Sequence, residues 1–363
     1  MLIDTNTVNL IYGSLADEMS RRVFIKRLSY SVVASTGNVR ELARIQNPVF
    51  IDKVIALADS GYKVCVYGAG DSVWYPGRIA LTLFNDILAF PGIVDQRAEV
   101  LHEVPYLLHY GEFAHVKVHR PEFLKQADTK TMVIVATSNP DLRNEIVNNL
   151  LAFEIPISRI IFFPESYLGC SGDYFTGKAF FTYNHQELFV DCGCFDGESA
   201  KLFAKSVEQQ ENASVAGIIG YEPDKKQAEI CRQNLSEVPN TTIRNVGVWE
   251  KKETLRFSAS GEGGSNIAVD GDVYIDAVKI DEDISGQRVT FIKMDIEGAE
   301  LKALKGAVKT ICSQRPKLAI YLYHKPEDII TIIEFLMNLS LGYKFYLRHQ
   351  SLYFHETVLY AVP

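Results

Sequence analysis

The chain contains no apolar run near the roughly twenty residues needed to cross a bilayer, and it has no excess of basic residues. Its 37 Lys and Arg stand against 45 Asp and Glu, for a net charge of −8. A partner gripped through its phosphates needs a basic face from which counterions are released, so nucleic acid is excluded as the expected partner. The start of the sequence lacks the basic, apolar and small-residue succession of a secretory leader, and a cytoplasmic protein without a membrane span is expected. Cysteine is scarce and shows no Cys-x-x-Cys spacing. Cys65, Cys170, Cys192, Cys194, Cys231 and Cys312 sit mostly in apolar or strand-like surroundings, which suits reduced packing residues better than disulfides or zinc ligands. No metal site is assigned. Short-period repeats and low-complexity tracts are also missing.

What is present is length and alternation. A chain of 363 residues exceeds what one hydrophobic core usually organises, so two domains are expected. Residues 14–33 place Leu15, Met19, Val23, Phe24 and Leu28 at helical spacing, a helical lead-in. Apolar runs at 62–70, 90–96, 131–138 and 159–164 then alternate with helix-compatible stretches, the pattern of a parallel sheet covered by helices on both faces. This predicts a smaller Rossmann-like α/β domain over residues 1–170, lead-in included. Gly, Ser and aromatic residues at 168–178 interrupt the alternation and make the junction. It restarts over 175–363 with the runs "ELFVDCG", "SVAGIIGYEP", "TTIRNVGVW", "VTFIKMDIEG" and "KLAIYLYHK" as strands. At the close, "YKFYLRHQ" and "HETVLYAVP" are separated only by "SLYF", too short for a helical crossover, so one of them must run antiparallel.

The most informative stretch is "FVDCGCFDGES", residues 189–199. In a doubly wound sheet the first strand-to-helix turn lies at the carboxyl edge where ligands bind, and glycine there lets backbone approach the ligand. Gly193 and Gly197 fit that place. Asp191 stands where a dinucleotide fingerprint has its first glycine; an acid repels a pyrophosphate and suits a cationic ligand. Glu222, about one helix and one strand further on, falls where a carboxylate accepts the hydroxyls of a ribose. A ribosyl ligand with a cationic end is implied, and S-adenosylmethionine has a ribose, an ammonium and a sulfonium.

With "DCGCFDGES", "GYEPD", "NVGVW" and "FIKMDIEGAE" in this order, residues 175–363 resemble the FkbM-type family of S-adenosylmethionine-dependent methyltransferases. The resemblance implies a methyltransferase-like doubly wound sheet with an antiparallel terminal strand. It also implies S-adenosylmethionine as cofactor, with O-methylation of a hydroxyl on a sugar, glycan precursor or related small molecule. By position, Asp191, Gly193, Asp196 and Gly197 line the methionine end, Phe195 is a further cofactor-binding residue, Ser199 opens the helix, Glu222 takes the ribose, and Gly247, Val248 and Trp249 border the adenine. Cys194, Phe195 and Asp196 depart from the small residues or Asn often found in the wider superfamily, which bears on cofactor affinity.

Methyl transfer to oxygen needs alignment and removal of the acceptor's proton. His324, at the exit of the fifth strand, is the candidate base, with Asp295 and Glu297 as catalytic partners that orient it or bind acceptor hydroxyls, and Glu300 nearby. The same acids could instead hold a divalent cation. The Gly-rich stretch 258–272 is read as a flap with Ser265 and Asn266 as polar contacts, or as a plain loop.

In the first domain "VYGAGDSVWYPG" (66–77) begins like a dinucleotide fingerprint but has Val73 at the third glycine, with Trp74, Tyr75 and Pro76 intruding on the loop; Asp95 ends the next strand as a candidate ribose acid. This domain could bind a nucleotide or the acceptor, or serve only for contact between subunits of a homo-oligomer. A protein that binds a nucleotide or NAD through the first domain, with the second as scaffold, is the rival reading.

Overall fold

A computed structural model of the chain describes residues 4–69, 76–101, 103–105, 115–137, 139–165, 175, 182–258, 266–267 and 273–363. The loop with Val73, Trp74 and Tyr75, most of the junction at 168–178, and Ser265 with most of its flap lie outside the described residues, and Asn266 is described only as backbone. Two compact units result. The first comprises residues 25–170 and 349–355, the second residues 1–24, 171–348 and 356–363.

Among its described residues the first unit has six strands: β1 (Lys63–Tyr67), β2 (Leu88–Val94), β3 (Glu103–Pro105), β4 (His115–His119), β5 (Thr131–Val135) and β6 (Ile160–Phe162). Their order is β3-β4-β2-β1-β5-β6, with only β3 antiparallel to its neighbour. Successive residues of β1 point to opposite faces. Val64 and Val66 pack with the helices Thr36–Gln46, Pro48–Asp59 and Pro76–Phe84, while Cys65 and Tyr67 pack with Ile146 and Leu150 of the helix Pro140–Ala152. That last helix starts where it does because Asn139 accepts from the amides of Asp141 and Leu142 and Pro140 occupies the first turn.

The second unit contains β7 (Glu187–Cys192), β8 (Val215–Tyr221), β9 (Thr241–Arg244), β10 (Gly247–Val248), β11 (Glu253–Ser258), β12 (Asn266–Ile267), β13 (Val273–Val278), β14 (Phe291–Met294), β15 (Lys317–Tyr321), β16 (Lys344–His349) and β17 (Thr357–Val362). Seven of them form a sheet in the order β16-β17-β15-β14-β7-β8-β9. β7 lies between parallel β14 and β8, and β17 runs antiparallel beside β15, so the antiparallel ending expected from the short "SLYF" link is present. Under β7 the ring of Phe189 stacks on Phe203 of the helix Glu198–Glu208, centroids 4.2 Å apart, with Phe291 edge-on to both.

Three sequence expectations are corrected. The lead-in is two helices, Thr5–Ser14 and Glu18–Val32, because Leu15 bridges to Phe345 and the Ala16 amide donates to the Phe345 carbonyl at 2.8 Å. Residues 1–24 belong to the second unit rather than the first: Arg348 pairs with Asp17 at 2.7 Å, and the Leu347 amide donates to Ser20 Oγ at 2.9 Å. The run "TTIRNVGVW" is two strands, not one; β10 leaves the main sheet and pairs with β13 in a second sheet of order β10-β13-β11-β12.

Candidate functional site

At the carboxyl edge of the main sheet of the second unit lies a cleft of ≈ 240 Å³. Its floor comes from the turns after β7, β8 and β14, and one wall from β10, β11 and β13. Of the residues expected at the site, Gly193, Phe195, Glu222, Gly247, Val248, Asp295 and Glu297 line it, whereas Asp191, Asp196, Gly197, Ser199, Trp249 and His324 do not.

The turn after β7 is shaped largely by the protein's own backbone. Gly193 has φ +79, and a Cβ there would collide with the Asp295 carbonyl; Gly197 has φ +87, and a Cβ would lie 2.9 Å from Leu235 Cγ and 3.1 Å from Cys231 Sγ. Glycine at these points lets the turn pass its neighbouring strand and helix. Asp191 is fully buried. Lys293 stands directly opposite it in the β7–β14 register, with Nζ 3.0 Å from Asp191 Oδ1 and 3.1 Å from the Gly193 carbonyl oxygen. Ser199 donates to the second oxygen of Asp191 at 2.6 Å. Burial pushes the Lys293 ammonium down, but Asp191 and Asp295 outweigh it and hold its pKa well above the usual lysine value. Asp196 serves the helix start, accepting from the Glu198 amide at 3.1 Å.

Glu222 is held by two backbone amides. Phe195 donates to Oε2 at 3.1 Å and Asp224 to Oε1 at 2.9 Å, which leaves each oxygen a further lone pair. Burial raises its pKa to about 7, although both hydrogen bonds pull the other way. Beside it Phe195 takes φ +44 and stays partly exposed in the cleft.

After β14 the chain turns through Glu297 at φ +54 and Gly298 at φ +89, a left-handed pair that turns the backbone sharply and leaves Asp295 and Glu297 on the cleft wall. Behind them sits His324, its side chain 6% exposed, with Nδ1 2.8 Å from Glu300 Oε1 and Nε2 3.4 Å from Asp295 Oδ1 and 3.5 Å from Glu297 Oε2. Burial lowers the imidazole's pKa, but the three carboxylates overcome it and raise it to about 9. Glu300 also accepts from the Ile296 amide at 2.8 Å and thereby fixes the turn. Tyr323 donates to Asp295 at 3.2 Å. Ligand atoms of Asp295, Glu300 and His324 lie within 4.8 Å of one another, close enough to hold a cation.

The cleft's charge is one-sided. Every ionisable carboxylate or cationic group among its described lining residues is an acid: Glu222, Asp224, Asp295 and Glu297. Its apolar lining comes from Phe195, Val246, Val248, Phe257, Ile275, Ile296 and Ala299. Phe257 and Ile275 were not anticipated; they lie on β11 and β13, neighbours in the second sheet. Lys293 was also missed, although a lone lysine inside the apolar run "FIKM" is an audible one.

A doubly wound parallel sheet with an antiparallel last strand and a cleft at its carboxyl edge is a methyltransferase-type fold. The match to a solved structure described as methyltransferase FkbM from Methylobacillus flagellatus KT agrees, with a TM-score of 0.50, 18% identity and coverage of 86% of this chain and 99% of that one. Residues 191–345 match the family model described as "Methyltransferase FkbM domain". A curated relative, "2-O-methyltransferase NoeI" of Sinorhizobium fredii (strain NBRC 101917 / NGR234), is 22% identical over 35% of this chain; the chain spans 60% of that relative's length.

Proposed function

We propose that the second unit is an S-adenosylmethionine-dependent O-methyltransferase acting on a hydroxyl of a sugar, glycan precursor or related small molecule. The observation that carries this is the all-acidic charge of the cleft beside an apolar wall, which suits a nucleoside with a cationic end. The name of the relative, a 2-O-methyltransferase, supports oxygen as the acceptor atom.

Glu222 would accept the ribose hydroxyls on the lone pairs that Phe195 and Asp224 leave open. Val246, Val248 and Phe257 would flank the adenine, and the acids across the cleft would face the sulfonium. When bound, the cofactor supplies an electrophilic methyl carbon. Asp295 or Glu297 would bind the acceptor hydroxyl and take its proton. His324 works from behind: as an imidazolium near neutral pH it keeps these carboxylates ionised and oriented, with Glu300 holding Nδ1. It is a positioning residue in this scheme rather than the first proton acceptor, because at a pKa of about 9 it is already protonated. Alignment of oxygen, methyl and sulfur is the larger part of the catalysis.

Incubation with methyl-labelled cofactor and a panel of saccharides and nucleotide sugars tests this reading. Label in a saccharide hydroxyl is expected, with loss in Asp295→Asn and Glu297→Gln. A protein that binds the cofactor yet labels none of the panel would remove the carbohydrate part of the reading.

A further inference from the structure

The first unit repeats, at the end of its own central strand, the arrangement from which the second unit builds its cleft. Gly68 follows β1 with φ +111, and a Cβ there would lie 2.8 Å from the carbonyl oxygen of Ala136, just past neighbouring β5. Gly193 stands in the same relation to Asp295 beyond β14. Asp95 follows β2 as Glu222 follows β8. Its Oδ2 accepts from the Ala69 amide at 2.9 Å and its Oδ1 from the Arg97 amide at 2.8 Å. In each unit, then, an acid beyond the second strand is held by an amide of the turn after the first strand and by the amide two residues beyond itself; on Asp95 the Arg97 side chain also donates to Oδ1 at 3.3 Å, so the open lone pair is on Oδ2.

Between these groups in the first unit lies a separate cavity of ≈ 300 Å³, bordered by Tyr67, Gly68, Asp95, Arg97, Thr137 and Leu142. Tyr67 is 2% exposed, and among the described residues its buried hydroxyl has no partner in full bonding geometry, with Asn149 and Gln96 interacting with it more weakly. A buried hydroxyl left unpaired is costly unless something binds it. Unlike the other cleft this one carries a cation: Arg97 Nε lies 3.3 Å from Asp95 Oδ1, and the side chain is 49% exposed, so it serves the rim.

We propose that this cavity binds a ribonucleotide, its ribose hydroxyls on Asp95, its phosphate on Arg97, and a polar atom of the ligand on the Tyr67 hydroxyl. The volume sits at the low end for small-molecule sites and suits a mononucleotide. The guanidinium disfavours a sulfonium ligand and favours an anionic one. This site is distinct from the methyltransferase cleft and does not depend on the reading of that cleft.

Calorimetric titration of the full chain with AMP, GMP, CMP and UMP up to 1 mM, each beside its 2′-deoxy counterpart, tests it. One ribonucleotide at least is expected to saturate a single site. Its deoxy form and the Asp95→Asn variant should bind roughly tenfold more weakly, and Tyr67→Phe and Arg97→Gln severalfold more weakly, while S-adenosylhomocysteine binding stays the same in all three variants. The proposal is overturned if none of the four nucleotides binds to a cooperatively folded protein. It is also overturned if the deoxy form binds equally well, if saturating S-adenosylhomocysteine displaces the nucleotide, or if Tyr67→Phe leaves the affinity unchanged. Should Asp95→Asn fail to fold, Tyr67→Phe decides. Ribonucleotide binding without S-adenosylhomocysteine binding would leave this site standing and bring down the methyltransferase reading.

Discussion

Lys293 and Asp191 face each other across β14 and β7, Nζ 3.0 Å from Oδ1, with both side chains at most 5% exposed. The acid expected to meet a cationic ligand has found its cation inside the protein. Lys293 also reaches the Gly193 carbonyl, so this pair braces the turn that borders the cleft.

Removing one partner strands the other. Lys293→Met is expected to cost about 3–5 kcal/mol, the range for a buried charge left unpaired, and Asp191→Asn/Lys293→Met should recover part of that loss in denaturant unfolding. If Lys293→Met instead left stability intact and only weakened cofactor binding, Asp191 would have to be a ligand contact.

Glu222 gives two pH trends of opposite sign. Its folded pKa of about 7 lies above the ordinary 4.5, so its contribution to stability is fully present below 4.5 and is lost as pH rises through about 7. The ribose needs the ionised carboxylate, so S-adenosylhomocysteine should bind more tightly as pH rises through the same value. Glu222→Gln is expected to flatten that dependence and weaken binding by about tenfold or more, the worth of a hydrogen bond to a charged group. Titration at pH 6 and pH 8 reads both effects.

His324 is raised from 6.5 to about 9 by its carboxylate neighbours against the opposing effect of burial. The stability this confers is complete below pH 6.5 and disappears as pH climbs through about 9. Unfolding curves at pH 6, 8 and 10 should show the decline in the parent protein and a smaller one in His324→Asn. In Glu300→Gln the imidazole titration followed by NMR should move down.

Two glycines separate backbone strain from collision. Gly286 has φ +84 and open space for 4 Å around the point where a methyl would stand, whereas Gly193 at φ +79 faces the Asp295 carbonyl. Gly286→Ala is expected to cost about 1 kcal/mol from the left-handed backbone alone, and Gly193→Ala at least about 2 kcal/mol more from overpacking. Equal melting temperatures for the two variants would show that the turn after β7 has room to shift.

The alternation of apolar runs and helical periods made the sheet of each unit legible, and the short link between the last two strands announced the antiparallel ending. Where reading failed, the cause was contact between residues distant in the chain. Asp17 and Arg348, 331 positions apart, draw the first 24 residues to the second unit, and no local pattern carries that pairing. The glycines of "DCGCFDG" were rightly marked as positions that exclude a side chain, but a sequence does not say what occupies the space. At Gly193 it is the Asp295 carbonyl, and at Gly197 it is Leu235 and Cys231. Phe257 and Ile275 reach the cleft because β10 leaves the main sheet for β13, a choice made by pairing rather than by propensity.

The claim that the acidic cleft of the second unit is a seat for a sulfonium nucleoside is tested most directly by a crystal structure of the protein soaked with S-adenosylhomocysteine at millimolar concentration. The account predicts the ribose hydroxyls within about 3 Å of Glu222, the adenine beside Val246, Val248 and Phe257, and the sulfur toward Asp295. An empty cleft, or the nucleoside seated elsewhere with Glu222 bonded only to Phe195 and Asp224, would contradict it.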